Sequence, residues 1–254
     1  MTHILEVSDL SMRFGGLLAV NGVGLTIKQG QIVSMIGPNG AGKTTVFNCL
    51  TGFYQPTGGK ITFAGEPIQG LPGYKIARKG MIRTFQHVRL FKEMTALENL
   101  LVAQHQHLNN GLLAGLFKTP SYRKAEQEAL DNAVYWLKKV RLIDDANREA
   151  GTLAYGQQRR LEIARCMVTR PSLLMLDEPA AGLNPSETLE LKQLILDLRD
   201  NHAISVLLIE HDTKLVMEIS DHIVVINQGT PLASGTAEQV RNNPAVIKAY
   251  LGEE

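Results

Sequence analysis

The first part of the chain alternates hydrophobic and polar residues from Ile4 to about Ile27, and several glycines interrupt the alternation. An extended segment with this period of two turns one face to a core and the other to solvent, so we predict antiparallel strands here. Residues 31–36 are instead a mostly apolar run that stops at a glycine, which is typical of a strand buried on both faces. The pattern thus predicts an antiparallel layer followed by a buried sheet.

Short helical and extended segments alternate along most of the remaining chain. We predict helices at 43–50, 157–168 and 185–200, and strands at 60–63, 81–85, 173–176, 204–209 and 223–226. Strands that alternate with helices in this way indicate a mostly parallel sheet. The predicted fold class is therefore α/β.

The segment from about residue 95 to residue 143 has a different character. Leu130, Val134 and Leu137 recur at positions i, i+4 and i+7, a spacing that marks one face of a helix. Residues 109–120 are rich in Gly, Leu and Asn, which predicts a loop or a short broken helix. A helical block therefore interrupts the α/β pattern.

Composition excludes several classes of protein. The 254 residues are 44% hydrophobic and carry a net charge of +1, so we expect a sizeable core and no large nucleic-acid surface. Two cysteines, Cys49 and Cys166, are too few for a disulfide scaffold, and we expect both in the core. No apolar stretch approaches the ~18 residues of a membrane span, and the N-terminus does not resemble a signal peptide. We expect a cytosolic chain unless a partner holds it at a membrane.

The segment GPNGAGKT, at residues 37–44, matches the phosphate-binding pattern G-x-x-x-x-G-K-[ST] at every defined position. It lies between a predicted strand and a predicted helix, which is the context that the pattern requires. Its glycines let backbone N–H groups turn inward, and the helix adds its positive N-terminal end. Lys43 places a charge on the outer phosphates, and the Thr44 hydroxyl suits Mg²⁺.

A second candidate for chemistry is the pair Asp177 and Glu178, which directly follows the apolar run 173–176. Adjacent carboxylates at the end of a buried strand carry a desolvation penalty unless they act. We expect Asp177 to join the Mg²⁺ shell and Glu178 to orient or deprotonate an attacking water.

Together with these motifs, several further segments resemble the ATP-binding cassette family in order and spacing, over nearly the whole chain. They are Phe14 with Val20, Gln86, the signature-like segment 153–165, the loop 178–185 and His211. The resemblance implies a P-loop NTPase core with an N-terminal antiparallel layer and an inserted helical subdomain. It places the core at 1–86 and 151–254, with a helical tail at 236–254, and the subdomain at 87–150.

The family resemblance also implies a set of site residues. ATP would be bound by Phe14, Val20, Gly37, Pro38, Asn39, Gly40, Ala41, Gly42, Lys43, Thr44 and Thr45. Hydrolysis would involve Glu178, His211 and Gln86, and Mg²⁺ would be held by Thr44, Gln86 and, through water, Asp177. The signature residues Ala154, Tyr155, Gly156 and Gln157 would act on the ATP of a partner chain, and Gly182, Leu183 and Asn184 would link the two sites.

The chain departs from the family pattern at two positions. The usual signature LSGGQ is LAYGQ here, so Ala154 lacks the serine hydroxyl that contacts the partner's γ-phosphate. Loss of such a contact to a charged phosphate costs roughly 1.5–3 kcal/mol if nothing replaces it. The usual aspartate of the linking loop is Asn184, but Asn caps helices equally well, and Pro185 and Glu187 complete a capping box.

A narrower resemblance is to the ATPase subunits of branched-chain amino acid importers, carried by the segment 154–166, the insertion after Leu101 and the tail 235–252. It implies ATP sandwiched between two chains, with a second ATPase subunit in a heterodimer, or a homodimer in isolation. The other partners implied are two membrane permease subunits and an external solute-binding protein. The chain would then lie on the cytoplasmic face of the inner membrane.

Rival interpretations remain open on the sequence alone. A small GTPase or nucleotide kinase would share the phosphate loop, but the chain has no N-K-x-D segment, and a kinase gives LAYGQ and His211 no role. A soluble cassette protein of DNA repair or translation usually has a long coiled coil or two cassettes. Of these rivals, an importer ATPase for urea, an amide or another amino acid is the one that the sequence argues against least.

Overall fold

The computed structural model describes residues 3–104 and 120–251. The predicted loop or broken helix lies outside the described residues except for Pro120, as do the last three positions of the predicted tail. The chain forms two compact units, one of residues 1–86 with 172–254 and the other of residues 87–171.

The strands of the first unit form two sheets. Their bounds are β1 (His3–Phe14), β2 (Leu17–Lys28), β3 (Ile32–Ile36), β4 (Gly58–Phe63), β5 (Glu66–Pro67), β6 (Met81–Arg83), β7 (Leu173–Asp177), β8 (Ser205–Ile209), β9 (His222–Asn227) and β10 (Thr230–Gly235). One sheet is antiparallel in the order β2-β1-β4-β5, and the other has the order β10-β9-β3-β8-β7-β6. In the second sheet β10 runs antiparallel to β9 and the other neighbours are parallel, which confirms the predicted α/β fold.

The helices largely follow the predicted pattern. Their bounds are α1 (Lys43–Leu50), α2 (Gly73–Arg78), α3 (Ala96–Gln104), α4 (Pro120–Lys139), α5 (Tyr155–Met167), α6 (Pro185–His202), α7 (Thr213–Ile219), α8 (Ala237–Arg241) and α9 (Pro244–Leu251). Four elements, α2, α7, β5 and β10, were not predicted. All four are short, and none has a clear hydrophobic period.

The core of the first unit lies between its two sheets. Every residue of β3, β7 and β8 is buried, as expected for central strands of a parallel sheet. Alternate residues such as Val33 and Met35 face the antiparallel layer, where Leu5, Phe63 and the α1 residue Phe47 complete one hydrophobic cluster. This packing holds the loop between β3 and α1 against a rigid base.

Both cysteines are buried, as predicted. Burial raises the pKa of the Cys49 thiol to about 11 and that of Cys166 to about 12. Thiols with such pKa values carry almost no thiolate at neutral pH, so the two residues act as small core side chains.

The second compact unit extends past residue 150, to residue 171. Residues 151–171, including α5, belong with the helical unit and not with the α/β core. The reason is that α5 packs on α3 and α4. In addition, its Glu162 accepts a hydrogen bond from the Arg89 N–H, and Asn132 of α4 donates to the Val168 carbonyl.

The buried face of α4 is rotated slightly from the predicted one. Leu137 is fully buried, but Leu130 and Val134 are only half-buried, and Ala129 and Ala133 are buried in their place. The small alanines let neighbouring helices approach, an effect that apolar periodicity of large residues does not register. No helix among the described residues has both the length and the apolar character needed to cross a membrane.

Candidate nucleotide-binding site

The loop between β3 and α1 needs glycine at two positions for reasons of space. A Cβ on Gly37 would lie 2.0 Å from the carbonyl oxygen of Ile226, and one on Gly42 would lie 2.8 Å from that of Ala19. Gly42 also has a φ of +97°, a conformation that other residues rarely adopt. The glycines of the motif therefore allow the loop to lie tightly on the neighbouring strands.

The N-terminus of α1 has no cap from its own sequence. Gly42 is the N-cap residue, and it has no side chain to accept the first-turn N–H groups. These donors, together with the positive end of the helix dipole, form a ready anion-binding site. The loop thus has the chemistry that a phosphate requires.

Lys43 bridges the loop from the inside. Its Nζ donates to the carbonyl oxygens of Gly37 at 2.7 Å and Pro38 at 3.0 Å, and the residue is only 6% exposed. Burial lowers the pKa of Lys43, while the negative charges of Glu178 and Asp177 oppose this shift. The lysine charge and the two carboxylates therefore share one electrostatic environment.

A cleft of ≈ 220 Å³ lies over the loop. Residues 39–45, Glu178 and His211 line it. A larger cavity of ≈ 460 Å³ lies among α7, α8 and α9, but its lining includes no residue of the loop 37–45. The smaller cleft is therefore the one that brings the phosphate loop together with Glu178 and His211.

Glu178 is held between two polar side chains. Gln86 Nε2 donates to its Oε2 at 3.0 Å, and His211 Nε2 lies within hydrogen-bond distance of its Oε1 at 2.8 Å. The three residues follow β6, β7 and β8, whose carboxyl ends meet at the same edge of the parallel sheet. Glu178 has a φ of +47°, in the left-handed region that glutamate rarely occupies, and its N–H donates to the Ile209 carbonyl.

Asp177, the last residue of β7, is buried beside a cation. Arg83 Nη2 donates to its Oδ2 at 2.6 Å, and both side chains are at most 6% exposed. Arg83 was not predicted as a site residue. The available signal was a lone arginine in a short strand that otherwise reads as apolar.

Glu210 is a second residue that sequence reasoning missed. Its Oε1 accepts from the Ala180 N–H at 2.6 Å and its Oε2 accepts from the His211 N–H at 3.0 Å. Burial raises the pKa of Glu210, and these hydrogen bonds oppose the rise. The carboxylate thereby ties the linking loop to His211. The available signal was an acidic residue at the end of an apolar strand, as at Asp177.

The two residues expected near adenine occupy different environments. Phe14 is 41% exposed and packs edge-to-face with Tyr54, their ring centroids 5.2 Å apart. Val20 is fully buried, and its Cγ2 would lie 3.4 Å from a Cβ on Gly42. Val20 therefore supports the loop from behind, while Phe14 presents an aromatic surface.

The signature residues lie in the second unit, at the start of α5. Ala154 is the N-cap residue and has no side-chain acceptor. Gln157 Oε1 accepts from the Ala154 N–H at 3.0 Å, and its Nε2 donates to Asp145 at 2.9 Å. The Tyr155 hydroxyl accepts from Arg159 Nε at 3.1 Å, and Gly156 is buried beside them.

The linking loop ends in the predicted helix cap. After Gly182, with a φ of +80°, and the half-buried Leu183, the Asn184 side chain accepts from the N–H groups of Ser186 and Glu187. The Glu187 carboxylate accepts in turn from the Asn184 N–H at 2.9 Å. The capping box predicted for α6 is confirmed.

The donors near the loop fit magnesium better than a tightly bound transition metal. No group of three or more His, Cys, Asp or Glu residues in the described ranges could hold a metal ion. Thr44, exposed in the first turn of α1, Asp177 and Gln86 instead offer oxygen donors near the cleft. Mg²⁺ is commonly held by one or two protein oxygens together with substrate phosphates, which matches this set.

Comparison with protein families gives two matches. Residues 20–181 match the family described as ABC transporter, and residues 230–254 match the family described as Branched-chain amino acid ATP-binding cassette transporter. The first match contains the phosphate loop and the acidic pair, and the second contains β10 and the C-terminal helices.

Individual proteins are similar over the full length. The high-affinity branched-chain amino acid transport ATP-binding protein BraF of Pseudomonas aeruginosa is 75% identical, with 98% of each chain covered. LivG of Escherichia coli K12, which bears the same description, is 68% identical with the same coverage. The crystal structure of the ADP conformation of MJ1267, an ATP-binding cassette of an ABC transporter, has a TM-score of 0.86 and 32% identity over 100% of both chains.

Proposed function

Because this chain belongs to the ABC transporter family and is an ATP-binding cassette ATPase, we propose that it uses magnesium–ATP to drive import of branched-chain amino acids. The observation that carries the substrate class is the family match at 230–254, together with 75% and 68% identity to BraF and LivG. The observation that supports the chemistry is the cleft that joins the phosphate loop to Glu178.

The residues divide the work of binding. The uncapped first turn of α1 and the loop N–H groups receive the phosphates, and Lys43 exchanges its loop carbonyls for phosphate oxygens. Phe14 stacks on the adenine ring. Thr44, Gln86 and, through water, Asp177 would hold Mg²⁺, which would offset the negative charge of the phosphates.

Hydrolysis depends on Glu178. Its carboxylate orients the attacking water and accepts the water proton, and Gln86 and His211 hold both of its oxygens in place. Glu210 positions the backbone of His211 and of Ala180. The nucleophile, its base and the phosphate loop are thereby held in one cleft.

The complete site includes a second chain. Residues 154–157 of one cassette close over the nucleotide bound by the other, either in a heterodimer with a second ATPase subunit or in a homodimer of the isolated chain. The helical unit contacts the membrane partner at the cytoplasmic face of the inner membrane. The transporter has two permease subunits, which receive solute from an external binding protein. Closure on ATP and opening after hydrolysis drive the permease.

Transport in cells that lack this subunit tests the proposal. We expect the wild-type gene to restore uptake of labelled leucine, isoleucine and valine, and Glu178→Gln to assemble without restoring it. Restored uptake of urea or an amide, with no effect on leucine uptake, would show that the proposed substrate class is wrong while the proposed ATPase activity still holds.

The purified chain tests the two-chain site. We expect weak ATPase activity whose specific rate rises with protein concentration, because an isolated cassette has to pair with a copy of itself. A high specific activity that stays constant on dilution would show that one chain suffices.

A further inference from the structure

The guanidinium of Arg83 joins three segments of the first unit. Its Nη2 donates to Asp177 Oδ2 at 2.6 Å, while its Nη1 donates to Asn48 Oδ1 at 2.7 Å and to Thr51 Oγ1 at 3.3 Å. Asn48 belongs to α1 and Thr51 is its C-cap, whereas Asp177 ends β7. A planar fork of donors reaches acceptors on both sides, which a lysine ammonium does not do.

Two aromatic rings hold the plane of this guanidinium. Its central carbon lies 5.3 Å from the ring centroids of both Phe47 and Phe85, within the range of a cation–π contact. The Arg83 side chain is 6% exposed and that of Asp177 is 3% exposed. The pair is therefore both desolvated and held in one orientation.

Stability alone does not account for this arrangement. A buried ion pair is often no more stabilising than apolar residues of the same volume, because both charges lose their hydration. In addition, Arg83 Nε is buried without a hydrogen-bond partner in the described part of the chain, which adds a penalty. A contribution to stability therefore does not explain why a charged residue occupies this position.

The partners of Arg83 lead directly to the nucleotide site. Arg83 is hydrogen-bonded to Asn48 in α1, the helix that begins at Lys43. Its acidic partner, Asp177, is adjacent to Glu178 in the chain. Arg83 itself lies three residues before Gln86, which contacts Glu178. One side chain thus connects the phosphate-loop helix to the two strands that carry the acidic pair and the glutamine.

We propose that Arg83 is a positioning residue for the magnesium–nucleotide complex, which it supports by holding the Asp177 carboxylate at a set place relative to the phosphate loop. This inference rests on the proposed ATPase function. Because one Asp177 oxygen is bound by Arg83, the carboxylate cannot rotate freely, and its other oxygen would keep one orientation when the metal is bound. Residues that orient groups around a metal are typically worth about 10–100-fold in metal affinity.

The test measures how much Mg²⁺ strengthens nucleotide binding. The fluorescent analogue mant-ATP is titrated onto the full chain in excess Mg²⁺ and in EDTA, for the wild type, Arg83→Lys and Arg83→Gln. We expect the ratio of the two affinities to fall at least about tenfold in both variants, while the affinity in EDTA changes little. Arg78→Lys is the matched control, because Arg78 is exposed at the end of α2 over the Tyr74 ring, and we expect it to keep the wild-type ratio.

A double-mutant cycle identifies the route of the effect. In an Asp177→Asn background, Arg83→Lys should no longer change the Mg²⁺ ratio, since its partner has gone. If the Arg83 variants do not fold, as judged by thermal denaturation, Asn48→Ala replaces them, because it removes one acceptor of the same guanidinium and should lower the ratio in the same direction. An unchanged ratio in a folded variant overturns the role of Arg83. Failure of the wild type to bind mant-ATP more tightly with Mg²⁺ would instead overturn the proposed function.

Discussion

Two helices of the first unit begin in opposite ways. At the start of α6 the Asn184 side chain accepts two first-turn N–H groups, and Glu187 returns a hydrogen bond to the backbone of Asn184. At the start of α1 the N-cap residue is Gly42, which has no side chain to accept anything. The first-turn N–H groups of α6 are therefore capped by its own residues, whereas those of α1 remain available to a ligand.

The capping of a helix start therefore indicates whether that start can bind an anion. A closed end such as that of α6 gives stability and leaves nothing for an anion to bind. An open end capped by glycine gives up roughly a few tenths of a kcal/mol of capping energy and keeps its amides for phosphate. The start of α5 is intermediate, because Gln157 accepts the Ala154 N–H but Ala154 has no oxygen for the first turn. The proposed nucleotide contacts lie at the open end of α1 and at the partly open end of α5.

Removing the charge at the open end of α1 should have the largest effect. We expect Lys43→Ala to abolish tight ATP binding and hydrolysis, with a loss of affinity of at least about 100-fold, since hydrogen bonds to charged phosphates are strong and the backbone donors cannot replace the ammonium. Isothermal titration with ATP measures it. Lys60→Ala, at an exposed position of β4, is the control. Near-normal affinity in Lys43→Ala would show that the open end does not bind phosphate.

Binding at the open end can be separated from the chemistry beside it. We expect Glu178→Gln to bind ATP with unchanged affinity and to hydrolyse it about 10²–10⁴-fold more slowly, because the amide keeps the shape of the carboxylate and loses its basicity. Single-turnover hydrolysis and gel filtration with ATP measure the rate and the accumulation of a closed dimer. Wild-type turnover in this variant would remove Glu178 from the role of base.

The closed end of α6 can be opened by mutation. We expect Asn184→Ala to lower the free energy of unfolding by about 1 kcal/mol, since two N–H groups lose their acceptor. Chemical denaturation measures the change, and ATP affinity should stay as in the wild type. Asn184→Asp keeps the acceptor and should keep the stability. Equal stability of the Ala and Asp variants would show that the cap contributes nothing here.

The intermediate end of α5 can be closed by restoring a hydroxyl. We expect Ala154→Ser to change transport by less than about twofold, because the Tyr155 hydroxyl and the first-turn amides remain at the surface. Uptake by the assembled transporter is measured for Ala154→Ser beside Tyr155→Phe. A large gain from the first substitution together with no loss from the second would show that the missing serine limits the wild type.

The sequence predicted those parts of the molecule that depend on local pattern. The phosphate loop, the acidic pair after β7, the bounds of α1 and the cap at Asn184 all follow from neighbouring residues. Arg83 and Glu210 escaped prediction because their partners, Asp177 and the backbone of Ala180, are distant in the chain and meet only at the sheet edge.

The division of the chain at residue 171 has no signal in the local sequence pattern. The pattern of α5 shows that it is a helix but does not show which unit it packs against. Its partners α3 and α4 are joined to it only by tertiary contacts. Local periodicity thus predicts elements well and their assignment to units poorly.

The left-handed backbone of Glu178 has a consequence for directed evolution. A non-glycine residue in that conformation carries about 1–3 kcal/mol of strain, so replacement by glycine should make the folded chain more robust to heat while removing the carboxylate. A library screened only for thermal survival would therefore enrich inactive clones at this position. Selection for growth on the transported solute would restore glutamate. The difference in residue 178 between the two enriched libraries would measure the trade-off between thermal stability and ATP turnover at this position.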